Sequence, residues 1–228
     1  VIEFRDVRVG YGETPVLDGV SLRVERGAFA GLAGPNGSGK TTLLKLVARL
    51  HTPAAGLVSI DGRDVTSYSR RDLARLVAGV WQRPALSFGF TARELVLLGR
   101  TPYLSPLRWE SSEDVAIADA AMEETQIAHL ASRIASTLSA GELQRVFIAA
   151  ALAQKSRVLL LDEPTSFLDR RQAALLSALL RRLTESGVTT LCASHDVALL
   201  RRHATSVILL EERHAELTNA AALEDWYV

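Results

Sequence analysis

The chain is predicted to fold as an α/β protein, a parallel sheet flanked by helices and interrupted by a helical lobe. A glycine-rich segment lies between an apolar run at residues 29–33 and an apolar helical stretch at 41–50. From about residue 91 to 153 the pattern is helical, and from 158 onward strand and helix alternate. With 228 residues, the chain suits one domain carrying a lobe better than two independent domains.

Taken in order, residues 2–9 alternate partly, with Ile2, Phe4, Val7 and Val9 apolar, and read as a strand. Gly10, Gly12 and Pro15 then mark a turn, and 16–24 is a second strand. The run 29–33 ends at Gly34 as a buried strand would. Residues 41–50 form a helix through Leu43, Leu44, Leu46, Val47 and Leu50. A loop at 52–56 leads to a strand at 58–61, turned by Gly62. In the helical middle, Thr91/Glu94, Ser111/Asp114 and Ser139/Glu142 each have capping-box spacing, and residues 99–109 are a loop. Strands are expected at 158–161, 188–193 and 207–210. Helices are expected at 171–185, closed by Gly187, and at 197–203. Such alternation implies a parallel sheet covered on both faces.

Composition narrows the function. Hydrophobic residues are 48% of the chain, enough for a real core, and 26 basic residues balance 26 acidic ones. A dedicated nucleic-acid binder would carry a basic surplus, so no nucleic-acid partner is expected. The single cysteine, Cys192, excludes an intramolecular disulfide and suits a reducing compartment. No apolar run approaches the ~20 residues of a membrane-spanning helix, and the first residues lack the apolar core of a signal peptide. The expectation is a cytoplasmic protein that docks on something in a membrane.

Gly34-Pro35-Asn36-Gly37-Ser38-Gly39-Lys40-Thr41-Thr42 fits G-x-x-x-x-G-K-[ST]. Glycines let the backbone curl so that successive N–H groups face a dense anion. The following helix adds its positive end. Lys40 is then placed to reach the β- and γ-phosphates, and the Thr41 hydroxyl to ligate Mg²⁺. The apolar run 158–161 delivers Asp162 and Glu163 at its C-terminal end, where α/β folds place ligands. Asp162 suits the Mg²⁺ shell, and Glu163 suits accepting a proton from an attacking water. Together these segments indicate a nucleoside triphosphatase that takes ATP or a relative with Mg²⁺.

Leu138-Ser139-Ala140-Gly141-Glu142-Leu143-Gln144-Arg145 resembles the LSGGQ-type signature of ATP-binding-cassette (ABC) ATPases. Other family marks follow in order: Tyr11 as the A-loop aromatic, Gln82 as the Q-loop, Ser166–Asp169 as the D-loop and His195 as the H-loop. The resemblance spans nearly the whole chain. It implies a phosphate-loop NTPase core with an N-terminal antiparallel β subdomain. The core is placed at 1–82 and 153–228, and the inserted lobe at 83–152 carries the signature. Tyr11 would stack on adenine. Gln82 would touch Mg²⁺ or water and hinge the lobe. His195 would bond the γ-phosphate, and Asp169 would contact a partner subunit. Ser139, Ala140, Gly141 and Glu142 would face the γ-phosphate of a second copy, giving a head-to-tail homodimer around two ATP molecules. Alanine stands at 140 where the family usually has glycine. If that position needs φ > 0, the methyl costs about 1 kcal/mol.

The stretch 94–103, with Gly99-Arg100-Thr101-Pro102-Tyr103, looks like the ATPase subunits of importers for iron-siderophores, haem and cobalamin. So do Asp114, residues 120–122 and 152–154. This implies an energy-coupling subunit bound to transmembrane permease subunits on the inner face of the membrane, served indirectly by a substrate-binding protein. Residues 85–103, with Leu86, Phe88 and Phe90, are expected to offer an apolar groove to a permease helix. An exporter or lipoprotein-release ATPase, or a soluble ABC protein, would need the same engine. The roughly hundred residues between the two ATP motifs hold no sustained heptads, which disfavours the repair type.

Overall fold

The computed structural model describes residues 1–12, 14–82, 89–105 and 109–219. In chain order the elements are β1 (Ile2–Tyr11), β2 (Thr14–Val24), β3 (Phe29–Ala33), α1 (Lys40–Val47), β4 (Ala55–Ile60), β5 (Arg63–Asp64), α2 (Arg70–Leu76) and β6 (Val77–Val80). They continue with α3 (Ala92–Leu97), α4 (Ser112–Glu124), α5 (Ala140–Ala153), β7 (Val158–Asp162), α6 (Arg170–Glu185), β8 (Thr189–Ala193), α7 (Val197–His203), β9 (Ser206–Glu211) and β10 (His214–Thr218).

One sheet runs β10-β9-β3-β8-β7-β6, parallel throughout except for the β9–β10 hairpin. Its inner strands, Phe29–Ala33, Val158–Asp162 and Thr189–Ala193, are buried along their whole length. That is why they read as unbroken apolar runs rather than alternating ones. A second, antiparallel sheet runs β2-β1-β4-β5. Its inward residues Ile2, Phe4, Val7, Leu17 and Val20 pack with Leu43, Leu44 and Val47 of α1 in one core. A separate core joins Leu95 and Val96 of α3, Ala118 and Met122 of α4 and Val146 and Ala149 of α5. α5 also sends Ile148 and Ala151 into the core on the other face of the parallel sheet. The helical segment is thus packed within itself and tied to the sheet through α5.

Helix ends explain most boundaries that differ from expectation. α1 stops at Val47, and Leu50, expected inside it, is 61% exposed. Arg49 takes φ 53°, its N–H bonds the Leu46 carbonyl, and the Leu50 N–H bonds the Lys45 carbonyl. This is a Schellman cap built on arginine instead of glycine. Gln126 (φ 56°) ends α4 in the same way, and Lys155 (φ 48°) follows α5, its N–H on the Leu152 carbonyl. Of these terminators only Gly187, after α6, carries the expected residue. Lys155→Gly should therefore raise stability by about 1 kcal/mol, seen as a melting temperature higher by about 2–4 °C. An unchanged or lower value would refute strain at this cap.

The lobe helices begin as their spacing foretells. Thr91–Glu94, Ser111–Asp114 and Ser139–Glu142 all form reciprocal capping boxes. Each carboxylate is held below its ordinary pKa, in all three chiefly by hydrogen bonds from its cap residue. Hydrogen bonding to the charged form is full above the unfolded values near about 4 and vanishes as pH falls through the lower folded values. Amides of α3, α4 and α5 should consequently lose exchange protection before those of β3, β7 and β8 as pH is lowered below about 4. Simultaneous loss in both regions would contradict this.

Four elements have no counterpart among the expected ones, and one of them, β5, is only two residues long. α2 buries Leu73 alone, so it shows no apolar stripe. β6 has four residues, and β10 follows a turn in which Glu212 (φ 46°) and Arg213 (φ 73°) occupy positions that usually carry glycine or asparagine. Among the described residues, no helix is long and apolar enough to cross a membrane.

Candidate nucleotide site

The C-terminal edge of the parallel sheet opens into a cleft of about 640 Å³. The loop between β3 and α1 forms its floor. Gly37 (φ 82°) and Gly39 (φ 104°) take left-handed backbone, and Gly39 is the residue from which α1 starts. Side chains there are resisted by conformation, and at Gly39 also by Leu17 and Val16, whose atoms would lie 2.8 and 3.1 Å from a Cβ. The loop thus keeps backbone groups at its surface and aims the N-terminus of α1 into the cleft.

Lys40 is buried, its Nζ donating to the carbonyls of Gly34 (2.7 Å) and Pro35 (3.0 Å). Burial lowers its pKa, against the attraction of Glu163 and Asp162. The Ser38 hydroxyl is buried without a hydrogen-bond partner. Thr41 Oγ1 donates to both oxygens of Asp162 (3.0 and 2.9 Å), so the helix start meets the end of β7. Burial raises the pKa of Asp162, opposed first by the Thr41 bond.

Glu163 follows in an unusual conformation, with φ 52°. Its N–H still bonds the Ala193 carbonyl (2.8 Å), continuing the β7–β8 ladder. Its Oε2 accepts from the His195 backbone (3.3 Å), while Oε1 is buried without a hydrogen bond, 3.5 Å from His195 Nε2. Burial raises its pKa, the His195 backbone bond opposing. A left-handed glutamate costs about 1–2 kcal/mol and belongs with strain held at functional positions.

Tyr11, Asn36, Gly37, Gly39, Lys40, Thr41, Thr42, Gln82, Asp162, Glu163 and His195 all line the cleft. Gly34, Pro35 and Ser38 belong to the same loop. Val16 and Ser166 line the cleft as well and were not singled out. Ser166 lies in the stretch that matched the D-loop, while Val16 carries no chemical mark. Ser139, Ala140, Gly141, Glu142 and Asp169 are not among the lining residues. The first four open α5, and Asp169 caps α6 by accepting from the Gln172 N–H (2.8 Å). Ser139 and Ala140 are exposed.

Ala140 does not need φ > 0. It is the first helical residue of α5, so its methyl group carries no backbone penalty. The glycine that matters is Gly141, where a Cβ would come within 2.7 Å of the Phe167 carbonyl oxygen. The signature helix is thereby seated against the segment between Glu163 and Asp169. Leu86 and Phe88 of the expected docking patch lie outside the described residues.

Several of the residues that suggested an importer subgroup, Arg100, Tyr103, Asp114 and Gln154 among them, form one clamp. Arg100 and Asp114 are a buried ion pair (2.9 Å), and Arg100 also donates to the Ala153 carbonyl (2.7 Å) and lies 4.1 Å over the Tyr103 ring. Tyr103 donates to the Gln154 carbonyl (2.9 Å), and Gln154 donates to the carbonyls of Val77 (2.7 Å) and Ala74. Arg71 and Arg75 of α2 both donate to the Pro102 carbonyl at 2.9 Å. The segment 94–103 thus joins α4 and α5 to α2 and the start of β6.

Comparison with known proteins agrees with this geometry. The family model described as ABC transporter matches residues 17–166. The chain is 38% identical over 222 residues to the achromobactin transport ATP-binding protein CbrD of Dickeya dadantii, covering 97% of this chain and 82% of that one. It is 39% identical over 207 residues to the ferric enterobactin transport ATP-binding protein FepC of Escherichia coli, covering 90% and 76%. It spans only 43% of YvrA, an uncharacterized ABC transporter ATP-binding protein of Bacillus subtilis, with which it shares 43% identity. Among solved structures, the dimeric bacterial ABC transporter cassette MJ0796 superposes with a TM-score of 0.87 at 28% identity, covering 96% of this chain and 99% of that one. The chain belongs to the ABC transporter family.

Proposed function

We propose that the chain powers import of a metal chelate, of the iron-siderophore, haem or cobalamin class, as the energy-coupling subunit of a membrane transporter. The observation that carries this reading is the clamp around Arg100, Tyr103, Asp114 and Gln154. Its residues are among those that resemble this importer group, and relatives covering most of the chain are transport proteins for achromobactin and ferric enterobactin.

ATP binds with its phosphates on the loop 34–42 and its adenine on Tyr11. Lys40 exchanges its carbonyl partners for phosphate oxygens, and Ser38 supplies a further donor. Mg²⁺ fits the hard oxygen pair of Thr41 and Asp162, with Gln82 on the same cleft wall. A magnesium ion takes few protein ligands and fills the rest of its shell with phosphate and water. When bound it neutralises charge on the phosphates. Glu163 Oε1 accepts the proton of the attacking water, and His195 holds the γ-phosphate end.

Ser139, Ala140, Gly141, Glu142 and Asp169 act on the nucleotide of a second copy, so that two chains close head-to-tail on two ATP molecules. Residues 83–152 are the lobe that delivers the signature; 1–82 and 153–228 are the nucleotide-binding core. The permease docks at the inner membrane face on an open cleft of about 700 Å³ whose lining includes Leu50, Arg70, Leu73 and Trp81.

Cells lacking the chain should lose uptake of labelled ferric siderophore, haem or cobalamin. The wild-type chain should restore it and Lys40→Ala should not. Retention of all three uptakes would remove the cargo assignment, and restoration by Lys40→Ala would remove the phosphate role of Lys40.

A further inference from the structure

We propose that His51 is a positioning residue for nucleotide binding, holding the Tyr11 ring so that only its other face is offered to the nucleobase. The inference rests on Tyr11 being the base-stacking residue. The two rings lie 4.8 Å apart between centroids and 6° from parallel, an offset stack. Tyr11 is 50% exposed and lines the nucleotide cleft, whereas His51 is not among the lining residues. The imidazole therefore covers one face of the phenol from behind without reaching the ligand.

What holds the imidazole is as informative as what it touches. Its Nε2 lies 3.3 Å from the Gly10 carbonyl, which can only accept, so Nε2 carries the proton. Gly10 and Tyr11 sit at the end of β1, just before Gly12 (φ 59°) turns the chain toward β2. The backbone there is paired with β2, Gly10 with Pro15 and Tyr11 with Thr14, so the hairpin sets the main chain and leaves the ring to be set by its side-chain neighbours. His51 comes from the other direction. The arginine-built cap of α1 folds the chain back after Arg49, and the His51 N–H shares the Lys45 carbonyl (3.3 Å).

Tyr11 is thereby fastened to both ends of one helix. Its hydroxyl lies 3.3 Å from Thr42 Oγ1 in the first turn of α1, and its ring lies on the residue that follows the cap. The same helix begins at Lys40 in the phosphate loop. One eight-residue helix thus carries Lys40 of the phosphate loop, the Thr42 hydroxyl beside the phenol and the cap that presents His51. Nothing in the motif order marks His51, because the contact closes across forty residues and is made through a ring face.

The test compares binding of ATP and of inorganic tripolyphosphate, both with Mg²⁺, to the wild-type chain, His51→Ala, His51→Phe, Tyr11→Ala and the double variant Tyr11→Ala/His51→Ala. His51→Ala should weaken ATP about 3–10-fold, the scale of one aromatic pair, with tripolyphosphate unchanged. His51→Phe should restore ATP affinity. The double variant should bind ATP no more weakly than Tyr11→Ala alone, since both substitutions remove one device. Unchanged ATP affinity in His51→Ala, equal weakening of both ligands, or additive losses in the double variant would overturn the proposal. Unchanged ATP affinity in Tyr11→Ala would instead defeat the base-stacking reading itself, and the role of His51 with it. Loss in Tyr11→Ala without loss in His51→Ala would defeat His51 alone.

Discussion

Replacing Glu163 by glutamine is expected to lower ATP turnover by about 10²–10⁴-fold while leaving ATP binding intact. The amide has the shape of the carboxylate and can still accept from the His195 N–H, so the turn and its φ of 52° persist. What it cannot do is take a proton. In the wild-type chain, burial raises the Glu163 carboxyl while the His195 backbone and Lys40 stabilise its charge, at the position proposed for the base. With hydrolysis blocked, chains loaded with ATP should accumulate as closed pairs, read by light scattering with and without ATP. Turnover at the wild-type rate would remove Glu163 as the base. Slow turnover with a single chain at saturating Mg·ATP would leave the base and remove the head-to-tail pairing of Ser139 with Lys40.

Arg100→Ala is expected to destabilise the fold by about 3–5 kcal/mol, because it takes the guanidinium from the buried Asp114 Oδ1, leaving that carboxylate only its Ser111 bonds at Oδ2, and from the Ala153 carbonyl. That is a large share of the about 5–15 kcal/mol that holds a domain. Melting should fall by roughly 6–20 °C. Arg100→Lys should not rescue it, since a single ammonium lacks the planar fork that reaches Asp114 and Ala153 at once while lying on Tyr103. Removing both charges, with Arg100→Met and Asp114→Asn, should recover part of the loss. A loss below about 1 kcal/mol, the scale of an exposed pair, would mean that the clamp is not buried in solution.

Most of the residues that line the cleft were legible because they stand in contiguous stretches. The loop 34–42 and the pair Asp162–Glu163 each occupy one uninterrupted stretch, and three helix starts were marked by capping spacing. Helix ends were not legible. Arg49, Gln126 and Lys155 hold left-handed caps that sequence normally marks with glycine. The β9–β10 turn is hidden for the same reason, at Glu212 and Arg213. α2 and β6 were missed because a short helix with one buried residue and a four-residue strand carry too little periodicity. The clamp was recognised only as a family likeness. Its contacts run from 100 to 114 and 153 and from 154 to 77, so the chain order gave its members without its shape. Ala140 was the opposite case, a departure from the usual residue that costs the backbone nothing, because the tight spot is one position further on.

The left-handed backbone at Glu163 sets heat tolerance against turnover at one codon. Glycine there would relax the main chain and make the protein harder to melt, but it would delete the group proposed to take the proton. Asparagine would ease the same strain with a side chain too short to replace it. Variants selected for thermal endurance alone should therefore collect inactive substitutions at 163, whereas a selection that also demands ATP consumption should keep the glutamate and gain its robustness elsewhere.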